Sequence, residues 1–450
     1  MSTAAKGTLP GRAGNLTTEQ EHKLKEFWAQ VLIYTGSAPE SLATQLTSYS
    51  VTSGAAAKKK GGFFSKKDKH VDDIATQSEL FRAALPKLTP ETFIKAVRFM
   101  SRGDNVDDLF LRFLRARKWD VAKALEMFAT TISWRVEFGV DELLRTGEEQ
   151  CVKDKEDGVI LQFKTGKAIL RGKDKTGRPI VDVHVKLHDP KAQSERDIEK
   201  FTIFLIEASR LCLNDPNDTA AVIFDLTDFA ISNMDYAAVK FIITCFERHY
   251  PECLGFLFIH NAPWVFQGIW NVIKGWIDPV VASKISFTRN HNDLVKLIDD
   301  KEIPKSMGGS RPWDFEYLPP VPGENQKLED HETRDKILAE RVNLFKELEQ
   351  VTVQWISATG EQSNALEAKR SQIIAEVRKN YFLLDPYVRA RSAYDRDGTL
   401  AEFKQQLHQP ELEAAAQAAK TGKAPSLADE KNDQTRVKTA PAAAPAAVTA

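Results

Sequence analysis

Apolar positions along this chain recur at two periods, and the switch between them divides it. From 77 to 147 the spacing is helical: Pro90 stands near a start, and the run DLFLRFLRARKWD leads into VAKALEMFATTISWRVEFG, with Asp120 placed as the cap between them and Gly139 closing the second. This predicts a bundle of three or four helices. After Gly158, short β-rich runs at 168–170, 179–186, 221–226, 255–260 and 285–288 alternate with helical runs at 195–213, 234–249 and 264–277. Asp174 to Gly177 reads as a turn joining the first two strands into a hairpin. Strands separated by helices require crossovers, so the predicted fold class is α/β: a mostly parallel sheet covered by helices.

The flanks are patterned differently. Thr18 and Glu21 suit a capping box ahead of Leu24, Phe27, Trp28, Val31 and Leu32, a helix ending at Gly36 whose partner the sequence does not reveal. Periodicity is lost from 51 to 70, where Lys58, Lys59, Lys60, Lys66, Lys67 and Lys69 surround Phe63 and Phe64. Past Gly308-Gly309 and a Pro-rich connector, 328–357 and 362–383 form two helical patterns separated by Gly360, an α-hairpin in prospect. The final stretch is Ala, Lys and Pro, and cannot bury enough apolar surface to offset its ordering entropy. The predicted divisions are a leader and helix (1–36), a basic flexible linker (37–76), a helical subdomain (77–150), the α/β domain (151–315), a helical extension (325–408) and a disordered tail (409–450).

Residue totals change this picture by exclusion. With 62 Lys+Arg against 63 Asp+Glu the net charge is -1, so no global field draws the molecule to nucleic acid, and any electrostatic targeting is local. Cys151, Cys212, Cys245 and Cys253 show neither C-x-x-C nor zinc spacing, which favours a reducing compartment. The opening residues lack the apolar core of a signal peptide and no run suits a membrane span, so cytoplasmic residence is expected. The sheet usually invites a nucleotide or hydrolase reading, yet G-x-G-x-x-G, the P-loop, G-x-S-x-G and H-E-x-x-H are all missing. His249 with Tyr250 could ligate iron, but an isolated pair at a helix end is more often structural. No enzymatic activity, cofactor or metal is expected.

Two constellations remain. In WVFQGIWNVIKGWI (264–277), Val265, Phe266, Ile269, Trp270, Val272, Ile273, Trp276 and Ile277 fall on one broad face at helical spacing, while Gln267, Asn271 and Lys274 lie opposite. A core-facing helix is the plain reading. Trp264, Trp270 and Trp276 argue instead for a movable wall over an apolar cavity, because tryptophan suits a place with one apolar and one wet side. The second constellation is charged. Glu252 and Lys284 precede two predicted strands and so share one edge of a parallel sheet, while Arg117 and Lys118 close a helix whose dipole favours positive charge. Solvated element ends are the bland alternative; an anionic, hydroxylated head group is the sharper one.

FLRFLRARKWDVAKA, GRPIVDVHV, AVIFDLTDF, HYPECLGFLFIHNAPWVF, IDPVVASKISF and IPKSMGG stand in the order and spacing of the CRAL-TRIO lipid-binding family. The chain resembles its fungal phosphatidylinositol transfer proteins over roughly 100–312. The resemblance implies a phospholipid, phosphatidylinositol, held in a hydrophobic cavity and gated by the helix comprising Trp264, Phe266, Ile269, Trp270, Ile273, Trp276 and Ile277. It implies head-group contacts at Arg117, Lys118, Glu252 and Lys284. Two positions depart from the family pattern: Val281 replaces a hydroxyl residue, and Ala220 replaces a serine that contacts phosphatidylcholine. The implied partners are membrane surfaces, met peripherally; the lysine-rich run itself reads as a membrane contact, with Lys58, Lys59, Lys60, Phe63, Phe64, Lys66 and Lys67 meeting an anionic leaflet, and a solvated linker or a localisation signal is the bland alternative. The alternative function is a lipid sensor presenting its cargo to a lipid kinase through the C-terminal helices.

Overall fold

Side-chain caps set where the first four helices begin. In this computed structural model, residues 8–42, 79, 81–85, 88–213 and 217–403 are described, all within one unit ending at Phe403. The predicted membrane contacts from Lys58 to Lys67, and the tail from 409, lie outside the described residues. Helix α1 is Thr18–Tyr34; its capping box is Thr17 with Gln20, one residue earlier than the predicted Thr18 and Glu21. Thr89 caps α2 (Pro90–Ser101), and Asn105 caps α3 (Val106–Ala116). Asp120 accepts from the Lys123 amide to start α4 (Val121–Phe138), which left-handed Gly139 closes. Helix α5 (Val140–Lys153) kinks at Gly147, φ 63°, where a Cβ would stand 2.5 Å from that of Ala390. Helix α6 (Asp157–Lys164) follows, on residues to which the sequence reading assigned no element.

The five strands β1 (Ala168–Lys173), β2 (Pro179–His184), β3 (Ala220–Asp225), β4 (Leu254–His260) and β5 (Ile285–Thr288) lie side by side in chain order. The first two are antiparallel across the Asp174–Gly177 turn, and the others run parallel. Helix α7 (Glu195–Leu211) crosses from β2 to β3, α8 (Tyr236–Thr244) leads toward β4, and α9 (Phe266–Lys274) and α10 (Pro279–Ala282) connect β4 to β5. A short helix, α11 (His291–Leu294), follows the last strand. One face of the sheet is filled solid: Ile180, Ala221, Ile223, Phe256 and Phe258 pack against Leu294, Ile298, Ile303 and Met307.

The partner of α1 is now visible. Helices α12 (His331–Ser357) and α13 (Gly360–Val388) form the expected hairpin, and its Phe345, Trp355 and Val377 share one core with Phe27 and Trp28 of α1 and with Phe110 and Phe128 of the subdomain. Buried Arg370 grips Asp107 through two hydrogen bonds of 2.8 and 2.6 Å and lies 4.1 Å from the Trp355 ring, while Trp28 Nε1 donates to the same carboxylate at 2.7 Å. A final turn, α14 (Ala393–Arg396), packs Tyr394 into the α/β core.

A buried ionic node joins helical and α/β parts. Fully buried Glu207 of α7 pairs with Arg102 at 2.9 Å, Arg135 at 2.5 Å and Arg210 at 3.5 Å, and accepts from the Tyr250 hydroxyl at 2.8 Å. Burial alone would raise its pKa; the surrounding guanidinium groups outweigh that and hold it below the ordinary carboxylate range.

Candidate functional site

The other face of the sheet is hollow. Residues alternate across a strand, so Val181 and Val183 of β2, and Ala220, Val222 and Phe224 of β3, point away from the solid side. A bulge at Gly255 lets Ala220 pair with Leu254 and Ala221 with Phe256, which brings Leu254, Leu257 and Ile259 to the same hollow face. Opposite stand α7 with Phe201 and Leu205, α8 with Val239 and Ile242, and α9 with Phe266 and Trp270. Between them lies a cavity of about 260 Å³, lined mainly by apolar side chains. For scale, a hollow of about 150 Å³ stays dry and takes a benzene.

Helix α9 forms one wall with a narrower stripe than the sequence predicts. Phe266, Ile269 and Ile273 are buried, and Phe266, Trp270, Ile273 and Ile277 line the cavity. Trp264 is 89% exposed, Val272 47% and Trp276 38%, so Val272 and Trp276, both assigned to the predicted face, turn outward as Trp264 does. The reason is length. The helix runs only from Phe266 to Lys274, so Trp264 precedes it in a turn, Trp276 follows the Gly275 cap, and the helical wheel does not extend to either. Val272 lies at the margin of the arc. Outside, Trp276 meets Tyr236 with ring centroids 5.8 Å apart, and Trp270 meets Phe287 at 5.2 Å.

At the amino edge of the parallel strands the two predicted rim residues meet: Lys284 Nζ lies 3.4 Å from Glu252 Oε2, both side chains about one-fifth exposed. Glu252 is reached through a π-type turn, Cys245–His249, and takes a positive φ of 56°. Buried Arg112 of α3 holds this corner by donating to the Glu252 carbonyl at 2.8 Å. Arg117, the cap of α3, and Lys118, with φ 52°, end the helix that carries Arg112; Arg117 is half-buried and donates to the Ala116 carbonyl, and Lys118 is exposed. Val281 and Ala220, the two departures from the family pattern, both line the cavity. His249 stacks on Trp134 with ring centroids 3.9 Å apart, and burial pushes its pKa down to about 4. Among the described residues no cluster of His, Cys, Asp and Glu suits a metal, and no helix is long and apolar enough to cross a membrane.

The sequence reading missed a polar group in the cavity wall. Lys167, His184, His188, Asn233 and Asp235 line it at the carboxyl edge of β2. Lys167 Nζ lies 2.8 Å from His188 Nδ1, and His188 Nε2 lies 3.2 Å from Asp235 Oδ2. Burial draws the lysine down to about 8 and lowers the histidine as well. These residues come from three separate segments, so no spacing along the chain announces them.

Comparison with known proteins places this architecture. The CRAL/TRIO domain family matches residues 163–309, and its N-terminal domain matches 78–130. The chain is 38% identical over 429 residues to phosphatidylinositol transfer protein CSR1 of Eremothecium gossypii, covering 87% of this chain and 98% of that one. It therefore belongs to the CRAL/TRIO family. It is also 44% identical over 299 residues to the CRAL-TRIO domain-containing protein C3H8.02 of Schizosaccharomyces pombe, covering 66% of each. A third relative, phosphatidylinositol/phosphatidylcholine transfer protein SFH12 of Arabidopsis thaliana, is 30% identical over 220 residues, 45% of this chain and 39% of that one.

Proposed function

We propose that this protein binds one phospholipid, phosphatidylinositol, with its acyl chains in the cavity under α9, and carries it between membranes without covalent chemistry. The observation that carries the reading is the hollow face of the sheet: an apolar space closed by a short helix, with a charged rim at one end. The similarity to two relatives named phosphatidylinositol and phosphatidylinositol/phosphatidylcholine transfer proteins supports the choice of ligand.

Energetics support the mechanism. Drawing a chain of some 16 carbons from a bilayer into water costs roughly 12 kcal/mol at about 0.8 per methylene. A cavity that offers equal apolar contact removes most of that cost, provided it opens against the membrane. Helix α9 suits the gate because its inner stripe seals the cavity while Trp264, Val272 and Trp276 stand outside, and Val280 and Phe287 nearby in the chain are exposed as well, apolar side chains fit for the interface. Arg117 and Lys118 would take the phosphate, with Lys284, and Glu252 the inositol hydroxyls. The protein then works from the cytoplasm as a peripheral, transient visitor to membranes.

Transfer of labelled phosphatidylinositol between vesicles tests this. Lys284→Met is expected to slow transfer about tenfold, the loss of one charge-assisted contact, with little change in stability because the side chain is part-exposed. Purified protein that yields no inositol phospholipid by mass spectrometry, and transfers none, sinks the reading.

A further inference from the structure

The Glu252–Lys284 rim stands at the amino edge of β4 and β5, whereas Lys167 stands at the opposite end of the strands, where its carbonyl accepts from His184 at 2.7 Å. Seven residues of β4 separate the two edges by about 20 Å. A head group seated at the rim therefore does not reach the polar side chains at the far end. There, the apolar lining is interrupted by side chains that are firmly built. His188 is held from both ring nitrogens, and its carbonyl accepts from Asn233 Nδ2 at 2.9 Å. Asp235 spends its other oxygen on the Ala238 amide at 3.0 Å, capping α8. Lys167 is 7% exposed, and its ammonium carries three hydrogens, of which His188 Nδ1 takes one.

We propose that Lys167, positioned by His188 and Asp235, forms a second polar subsite that receives an uncharged acceptor oxygen, the hydroxyl or carbonyl of a lipid whose apolar body fills the cavity. This rests on the cavity being a lipid pocket, and it adds a ligand class to that reading. The charge balance selects the class. Lys167 and Asp235 cancel across a neutral histidine, and exposed Asp189 adds further negative charge nearby, so the cluster as it stands has no positive charge to spare for an anion. A carboxylate or phosphate would bring an unbalanced negative charge into that wall, since burial and the neighbouring ammonium both oppose protonation of His188. An uncharged oxygen accepts from Nζ and leaves the balance intact. The nearby His184 is engaged elsewhere, 3.4 Å from Asp225, whose second oxygen takes the Thr227 hydroxyl and amide.

The test is partition of labelled 1-hexadecanol, hexadecane and hexadecanoate from phosphatidylcholine vesicles onto the delipidated full chain, with phosphatidylinositol transfer measured alongside. The hexadecanol-to-hexadecane binding ratio is expected to fall about tenfold in Lys167→Met, the loss of one hydrogen bond from a charged donor. If that variant does not fold, His188→Phe, which removes the group that orients Lys167, is expected to lower the same ratio. Hexadecanoate is expected to bind more weakly than hexadecanol. A ratio unchanged in the folded variant, or hexadecanoate binding tightest, overturns the subsite. Phosphatidylinositol transfer that is lost or absent while the hexadecanol ratio responds to Lys167→Met supports the subsite and overturns the head-group reading alone.

Discussion

The two faces of the sheet are built from alternate residues of the same strands, yet one is solid and the other hollow. Ala220 and Ala221 are neighbours in the chain; the first lines the cavity and the second is fully buried against the packed layer. What differs is the cover. On the solid side Leu294, Ile298, Ile303 and Met307 lie close against the strands, whereas on the other α7, α8 and α9 stand off and leave space between. An apolar face thus signals burial, but its filling is decided by elements far away in sequence.

Paired substitutions sharpen this contrast. The largest effect is expected from Phe258→Ala on the solid face, a loss of about 3–5 kcal/mol in urea unfolding of the lipid-free protein, because a close-packed ring leaves a new void. Phe224→Ala, facing a space that already exists, is expected to cost less than half as much; equal losses would mean that the two faces are packed alike. Next come the neighbouring alanines. Ala221→Phe is expected to destabilise by about 1–3 kcal/mol through overpacking, whereas Ala220→Phe leaves stability nearly unchanged and reduces the lipid recovered per chain by mass spectrometry.

The smallest expected effect concerns pH. Lys167 is lowered to about 8 from 10.5, so between those values the unfolded chain holds more protons than the folded one and stability rises with pH. The burial cost is fully present below pH 8 and is relieved as pH climbs toward 10.5. Relative to Lys167→Met, the lipid-free wild type should gain on the order of 1 to 2 kcal/mol across that interval, the shift discounted for water reaching the cavity. A parallel pair of pH profiles would show that the lysine is solvated.

Much of this architecture was legible in the sequence, for identifiable reasons. Asp120, Gly139 and the Asp174–Gly177 turn act within a few residues of themselves, so their roles follow from local chemistry. The crossovers imply strand direction and so put Glu252 and Lys284 on one edge, where they meet at 3.4 Å. Reading failed where geometry is not local. Helical spacing projects Trp264 and Trp276 onto a helix that stops short of both, so the broad predicted face narrows to a stripe. Lys167, His188 and Asp235 converge only after β1, the turn beyond β2 and the start of α8 have folded. The helix at 18–34 shows no evident partner in the sequence because it packs on two separate regions, Phe110 and Phe128 of the subdomain and Phe345 and Trp355 of the C-terminal hairpin.

That distant partnership makes a clasp whose hook and eye are segments some three hundred residues apart in the chain. Residues near 27 and near 355 fill one interior, and Arg370 reaches across to Asp107 to fasten it. A fragment cut before α12 would leave the flank of α1 and the subsurface of α3 bare, a greasy scar inviting self-association. Questions about what the C-terminal helices contribute to lipid traffic are accordingly better put to single exposed residues, such as Leu383 at 62% accessibility, than to shortened chains.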